Sequence, residues 1–130
     1  MSKEKVELFF ERAENFLKAA NERFSDEDWD LTCFMAEQSV QLYLKALILE
    51  QTGDFPKSHS IKGLFGILYK LNDDDLFKFD RNALRFLESA YYNARYFTYA
   101  YDKEDAKDAM GIAKEVKNIV GRFRINKEKK

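Results

Sequence analysis

The sequence predicts an all-α protein, folded as an up-and-down antiparallel bundle of four main helices plus a short helix. Three observations support this prediction. The 130 residues include only 5 Gly and 1 Pro, too few turn formers for an all-β chain of this length. Apolar residues recur at steps of three and four, the period of an amphipathic helix. Ser and Asp stand where that periodicity restarts, as helix N-caps do.

Length and composition favour one folded domain, which we place at 1–124 and follow with a charged C-terminal tail at 125–130. The 12 Phe, 7 Tyr and 1 Trp supply more apolar surface than a disordered chain carries. One Cys and one His rule out an internal disulfide and argue against a typical structural zinc site, so we expect no metal and no cofactor. We assign Cys33 to the core. The formal charge of −1 gives no reason to expect nucleic-acid binding from bulk charge.

Two features of the sequence bear on where the protein resides. The apolar runs are too short to cross a bilayer, and the first residues lack the apolar stretch of a signal peptide. We therefore expect a cytoplasmic protein with no membrane association.

The first two helices follow from apolar spacing and from residues that begin or end a helix. A first helix over about 3–24 carries one apolar stripe. Ser25 resembles an N-cap that accepts from the amide of Asp28, so a second helix is predicted over about 26–51. Gly53 is suited to end that helix in a left-handed conformation.

The second half of the chain predicts three further helices. A short helix covers about 60–71, and the polar run 72–75 caps a fourth helix that reaches about Arg95. Asp102 is a suitable N-cap for a last helix that reaches about residue 123. Between them, 96–101 is rich in aromatic residues and is expected to be an extended connector.

Three segments together resemble the HEPN domain family over about 6–120. They are FMAEQSVQLYLKAL at 34–47, SHSIKGL at 58–64 and YYNARY at 91–96. The resemblance implies a short helical bundle that usually forms a homodimer. It also implies a partner, a minimal nucleotidyltransferase, in a two-component system like a toxin–antitoxin pair. The family name itself proposes nucleotide binding, so a nucleotide is a second possible ligand.

Many members of that family are metal-independent ribonucleases in which four to six residues separate an Arg from the His that follows it. Counted from Arg95, those positions hold Ala100, Tyr101 and Asp102. We therefore expect a non-catalytic nucleotide-binding or partner-binding module with no catalytic residue. Two alternatives stay open. One is a ribonuclease that uses Arg95 with His59 or Asp102, and the other is a purely structural dimerisation domain.

Arg95 is the best single candidate for a ligand contact. Its guanidinium, flanked by Tyr92 and Tyr96, can hold a phosphate through two hydrogen bonds while a base stacks on a ring. Alternatively, an Arg at a helix C-terminus meets the helix dipole favourably and pairs with a carboxylate such as Glu37 or Glu88.

Two further candidates carry a positive or titratable group. Lys45 either extends a polar patch on the second helix or lies at its rim with an apolar stem. His59 is the only side chain whose ordinary pKa lies near neutrality, so it is the candidate general base. In its structural reading, the imidazole caps the helix that follows.

A polar stripe interrupts the apolar second helix at Glu37, Gln38 and Gln41. We expect it to form hydrogen bonds across a bundle or dimer seam to Asn93 or Arg95, which fixes the register of the packed helices. Gln41 stands where the resembled family often has Glu. Some of the tyrosines between 91 and 101 are expected to face a partner, so we predict self-association.

Overall fold

The computed structural model describes residues 3–58, 60–96 and 100–124, and within these ranges it contains helices and no strand. The all-α prediction is confirmed, and the helix order is consistent with an up-and-down bundle of four long helices and one short one. A 3₁₀ turn at Asp75–Phe77 precedes the fourth helix. The α-helices are α1 Lys3–Ser25, α2 Trp29–Thr52, α3 Ile61–Asn72, α4 Arg81–Tyr96 and α5 Lys103–Phe123.

Helix α2 lies at the centre of the bundle and packs against all four other α-helices. It is buried on most sides, as expected of a helix whose apolar residues extend around its circumference. The buried polar side chains among the described residues all belong to this helix. They are Thr32, Glu37, Ser39, Gln41 and Lys45. Because buried polar groups need hydrogen-bond partners, the contacts of these five side chains matter for the stability of the core.

The predicted stripe of α1 faces α2, with Ala13 and Ala20 fully buried between the helices. Two hydrogen bonds cross this contact. The Ser39 hydroxyl donates to the Ala13 carbonyl at 2.9 Å, and the Tyr43 hydroxyl donates to Glu14 at 2.6 Å. Small residues on α1 allow the close approach that these short bonds require.

The boundary predicted between the first two helices is wrong by one turn. α1 continues to Ser25, whose hydroxyl donates to the Asn21 carbonyl at 3.3 Å. The cap of α2 is Asp28, which accepts from the Leu31 amide at 3.3 Å. Three of the four polar residues at 25–28, Ser25, Asp26 and Asp28, are of the types that cap helices, and Glu27 takes the left-handed turn between the helices.

The predicted start of the fourth helix at the cap 72–75 is also wrong. Asp73 ends α3 in a left-handed conformation, and Asp74 caps only the 3₁₀ turn. That turn buries Phe77 against Phe123, with ring centroids 4.7 Å apart. Helix α4 begins later, where Asp80 accepts from the Ala83 amide at 3.0 Å. Burial of Phe77 in the core thus outweighs continuation of the helix.

The remaining boundaries agree closely with the sequence. Gly53 ends α2 at φ 83°, and Ser60 caps α3. Asp102 begins α5 in a capping box with Asp105. The expected extended connector can be followed only at Tyr96, which is still helical, and at 100–101, because 97–99 lie outside the described residues. The tail 125–130 also lies outside them.

No helix within the described ranges has the length and apolar character that crossing a bilayer requires.

Candidate functional site

The last turn of α4 presents an exposed surface, the aromatic–arginine patch, formed by Tyr92, Arg95 and Tyr96. Tyr92 is 61% exposed and Tyr96 is 62% exposed. The Arg95 guanidinium donates to the Tyr91 hydroxyl and lies over the Tyr91 ring, 5.0 Å from its centroid. Tyr91 in turn stacks on Phe34 of α2 at 6.5 Å. The patch therefore rests on aromatic side chains that connect α4 to the central helix.

The charge of Arg95 is not balanced within the described chain. Across residues 3–58, 60–96 and 100–124, no carboxylate forms an ion pair with this guanidinium. The pairing with Glu37 or Glu88 that the sequence allowed is thus not seen. An exposed, delocalised cation beside two exposed phenol rings is available for an external contact.

A small polar cavity, the carboxylate pocket, lies beside the patch and has a volume of about 160 Å³. Its lining side chains are Glu37, Gln41, Ser60, Glu88, Tyr91 and Tyr92. They come from α2, from α4 and from the residue that caps α3. The pocket shares Tyr92 with the patch, so the two features form one continuous surface.

Glu37 is 1% exposed, and both of its oxygens accept hydrogen bonds from its own helix. Gln38 donates to one oxygen at 2.8 Å, and Gln41 donates to the other at 2.6 Å. Burial raises the pKa of this carboxyl, and the nearby charge of Glu88 adds to the effect, against the lowering by the two glutamines. The polar stripe is therefore satisfied largely within α2.

Glu88 of α4 meets the N-terminus of α3. One of its oxygens accepts from the Ser60 hydroxyl at 2.9 Å and from the Lys62 backbone amide at 3.1 Å. Ser60 meanwhile accepts from the Gly63 amide at 3.2 Å. Free amides and the helix dipole favour an anion at this position, so the contact holds Glu88 in a fixed place.

Lys45 lies one turn after Gln41 on α2 and is buried rather than at the rim. Its ammonium is 5.7 Å from the centroid of the Phe55 ring. Burial lowers the pKa of Lys45, and the charge of Glu37 opposes that shift. Lys45 thus continues the polar stripe inside the bundle and does not contribute to the exposed patch.

Asn93 joins α4 to the start of α5. Its amide donates to the Tyr101 hydroxyl at 2.9 Å, and that hydroxyl is also 2.9 Å from the Ser89 hydroxyl. The Tyr101 backbone amide donates to Asp30 at 2.7 Å. Asp102 is engaged in the capping box of α5. Tyr101 therefore holds the junction between α4 and α5, and Asp102 caps α5.

His59, the predicted general base or helix cap, lies outside the described residues. Among the described residues, no group of three or more His, Cys, Asp or Glu side chains is arranged to hold a metal ion. Cys33 is buried in the core, where burial raises the pKa of its thiol to about 12.

Sequence reasoning missed two features of the structure. One is the contact of Glu88 with Ser60, which are 28 positions apart. The other is Arg124, which donates to Glu7 and Glu50 and so joins α5 to α1 and α2. Neither contact has a local signal, because both depend on how distant helices pack.

Comparisons with known proteins agree on one family. A model of the HEPN domain matches residues 6–125. The crystal structure of TT1696 from Thermus thermophilus is similar, with a TM-score of 0.78 and 25% identity over 92% of this chain and 98% of that one. The structure of an archaeal HEPN homologue is similar with a TM-score of 0.70 and 26% identity, over 95% of this chain and 100% of that one. Comparison with curated protein sequences gives no significant match.

Proposed function

Since this chain belongs to the HEPN domain family, we propose that it is a non-catalytic partner-binding module whose interface is the aromatic–arginine patch. The proposed partner is a minimal nucleotidyltransferase, in a two-component system like a toxin–antitoxin pair, which is the role that the family resemblance implies.

One observation carries the proposal. Arg95 is exposed between Tyr92 and Tyr96, and no described residue supplies it with an ion pair. Tyr and Arg are the residue types enriched where a few side chains dominate binding between proteins. The aromatic rings of Tyr supply contact area, and the Tyr hydroxyls and the Arg guanidinium form hydrogen bonds with a partner. The last turn of α4 has this composition.

The geometry supports a protein partner more strongly than a nucleotide. The cavity beside Arg95 measures about 160 Å³. Pockets for small ligands and cofactors usually measure about 300–1,000 Å³. Two carboxyl groups, Glu37 and Glu88, line it, and their charge disfavours a phosphate. The concave part of this surface thus suits neither the size nor the charge of a nucleotide.

The contacts of Tyr101 and Asp102 support the non-catalytic part of the proposal. These residues occupy positions where a ribonuclease of the family would carry its His, and both side chains form hydrogen bonds within the chain. Tyr101 bonds to Ser89 and Asn93 of α4, and Asp102 accepts from the Asp105 amide of α5. A general base must be within hydrogen-bond reach of the proton that it removes. In the ribonuclease alternative, the general base would therefore be His59. The RNA-cleavage assay described below tests this alternative.

The first experiment is co-purification of the tagged chain with a minimal nucleotidyltransferase encoded beside it. We expect the wild-type chain to retain the partner, and Arg95→Ala or Tyr96→Ala to reduce retention about tenfold. Arg85→Ala is the matched control, because Arg85 is another exposed Arg of α4. Equal retention by all variants would mean that the patch is not the interface.

Two assays test the alternatives with the same proteins. The chain is incubated with RNA in the presence of a chelator, and cleavage that Arg95→Ala abolishes would favour the ribonuclease. Nucleotides are then titrated while the melting temperature is followed, since a ligand that binds the folded state raises it. We expect no RNA cleavage and no rise in the melting temperature.

A further inference from the structure

We propose that the exposed face of α5 pairs with the same face of a second copy of this chain, with the two helices parallel and in register at Gly111. The family resemblance implies a dimer but does not say which surface joins the copies. Helix α5 does not contribute to the aromatic–arginine patch, so this pairing goes beyond the proposed function and does not depend on it.

Gly111 lies in the middle of α5, at an exposed position. Gly is unfavourable inside a helix relative to Ala, because it loses more backbone freedom on folding. Packing within the described chain does not require it, since a Cβ atom at this position would meet no side chain and no other element within 4 Å. An exposed backbone without a side chain allows a second helix to approach closely.

Charged side chains flank this glycine in two edges of opposite sign. Successive residues of an α-helix are turned by about 100°, which decides the side on which each residue lies. The basic edge holds Lys107 and Lys114. The acidic edge, on the other side of the glycine, holds Asp108 and Glu115. All four are exposed, and Lys107 stays 56% exposed although it lies 4.0 Å from Glu104.

The arrangement of these charges selects the relative direction of the two helices. A two-fold axis parallel to α5 places the basic edge of each copy against the acidic edge of the other. Lys107 then meets the second copy's Asp108, and symmetry repeats the contact. Lys114 meets the second copy's Glu115 in the same way. An antiparallel pair would bring edges of the same sign together, so charge complementarity favours the parallel pair.

A groove between α4 and α5 borders the acidic edge and has a volume of about 550 Å³. Phe86 and Ile112, both partly buried, form its apolar part, and Asp108 and Glu115 also line it. In the parallel pair, the basic edge of the second copy lies over this groove. The apolar stems of its lysines cover the rings and methyl groups, while their ammonium groups reach the carboxylates. The groove and the charges therefore favour the same occupant.

Sedimentation velocity of the full chain, alone and at micromolar concentration, measures the pairing. We expect wild type to be a dimer. Gly111→Leu should be a monomer, because the new side chain separates the helices where they approach most closely. Its helical circular dichroism should be kept, since Leu favours a helix more than Gly does. Gly66→Leu is the matched control, because Gly66 is also exposed in a helix with open space around it, and it should stay a dimer.

Exchange of the charges tests the two edges. One variant carries Asp108→Lys with Glu115→Lys, and the other carries Lys107→Glu with Lys114→Glu. We expect each variant to be a monomer by itself, because both of its edges have the same sign. An equal mixture of the two should form a heterodimer, since their edges are then of opposite sign.

A cross-link tests the direction of the helices. Asn118 is exposed two turns after Gly111 on the same stripe. In a parallel pair, Asn118→Cys should form a disulfide between the copies on mild oxidation. In an antiparallel pair, the two Asn118 positions would be about 21 Å apart along the helix axis, too far for a disulfide.

Five results would overturn this proposal. They are a monomeric wild type, a Gly111→Leu variant that remains a dimer, charge variants that dimerise alone, a mixture of them that stays monomeric, and the absence of the Asn118→Cys disulfide. If Gly111→Leu remains a dimer but no longer retains the nucleotidyltransferase, this face of α5 belongs to that partner instead. Retention of the nucleotidyltransferase by wild type tests the proposed function separately, whatever the oligomeric state.

Discussion

Arg95 was identifiable from the sequence because it is the only charge in an aromatic run, and the structure places it at the surface as that reading required. The neighbouring pocket was not identifiable. In the sequence, Glu88 was only a possible partner of Arg95. Its contact with Ser60 arises because the N-terminus of α3 packs against α4. A local pattern reveals which residue types occur together, whereas contacts over 28 positions depend on helix packing.

We predict that Arg95→Ala weakens partner binding without destabilising the domain. The guanidinium is exposed and contacts Tyr91, so its loss should change the free energy of unfolding by about 0.5 kcal/mol or less. Denaturant unfolding followed by circular dichroism checks this. Leu87→Ala, on the same helix but fully buried, should cost about 2–5 kcal/mol. A large loss of helical signal in Arg95→Ala would assign Arg95 to the structure instead.

Glu37→Gln should change how stability depends on pH. Burial raises the pKa of Glu37 in the folded chain, so the folded state binds a proton more tightly than the unfolded state. The stabilisation from this group is complete below the ordinary glutamate pKa of 4.5 and is lost as pH rises through the raised pKa of Glu37. Thermal melts across the acidic to neutral range should show wild type losing stability relative to Glu37→Gln as pH rises. Parallel curves for the two proteins would contradict the assignment.

At the scale of the elements, helices with one strong stripe were predicted well, and polar runs were not. α1, α3 and α5 have clear stripes and caps, and their predicted and observed bounds differ by a residue or two. The runs at 25–28 and 72–75 contain several residues that each resemble an N-cap. Sequence cannot choose among them, because the choice depends on which neighbouring side chain, such as Phe77, reaches the core.

The capping box of α5 gives a prediction at this scale. Asp102 accepts from the Asp105 amide at 2.8 Å, and the Asp105 side chain accepts from the Asp102 amide at 3.0 Å. Asp102→Ala should lower the free energy of unfolding by about 1 kcal/mol. Asp108→Ala, an exposed position within the same helix, is the control and should have a smaller effect. Equal effects in chemical denaturation would show that the cap contributes little.

For the whole molecule, sequence predicted the all-α class and the helix order but not what joins the ends of the bundle. Arg124, the last described residue, follows α5 and contacts two other helices, α1 and α2. It pairs with Glu7 of α1 and with Glu50 of α2, whose side chain is 4% exposed, and it lies 3.7 Å from the centroid of the Phe10 ring. From the sequence, this position is only the last residue of the predicted domain, with no role assigned to it.

Removing that junction should destabilise the chain. Arg124→Met keeps an apolar stem over Phe10 but takes the charge away from Glu50, which should cost about 2 kcal/mol. Arg122→Met is the matched control, since Arg122 is exposed on the same turn of α5. Urea unfolding of both variants measures the difference. A similar midpoint for the two would mean that the ion pairs are energetically neutral.

We also predict that the chain is a homodimer, as the family resemblance implies and the exposed tyrosines of α4 favour. Light scattering at micromolar concentration should give twice the mass of one chain. The double variant Tyr92→Ala with Tyr96→Ala locates the interface. If it is a monomer, the patch lies between the two copies of this chain. If it stays a dimer, the patch remains for the nucleotidyltransferase. A monomeric wild type would contradict the prediction.

Hydrogen–deuterium exchange of the chain, alone and with the nucleotidyltransferase, tests the central proposal most directly. We predict that the partner slows exchange in peptides covering the last turn of α4, around Arg95. Arg95→Ala should remove this protection while exchange elsewhere stays the same. Protection confined to the opposite side of the bundle, with the α4 peptides unchanged, would contradict it.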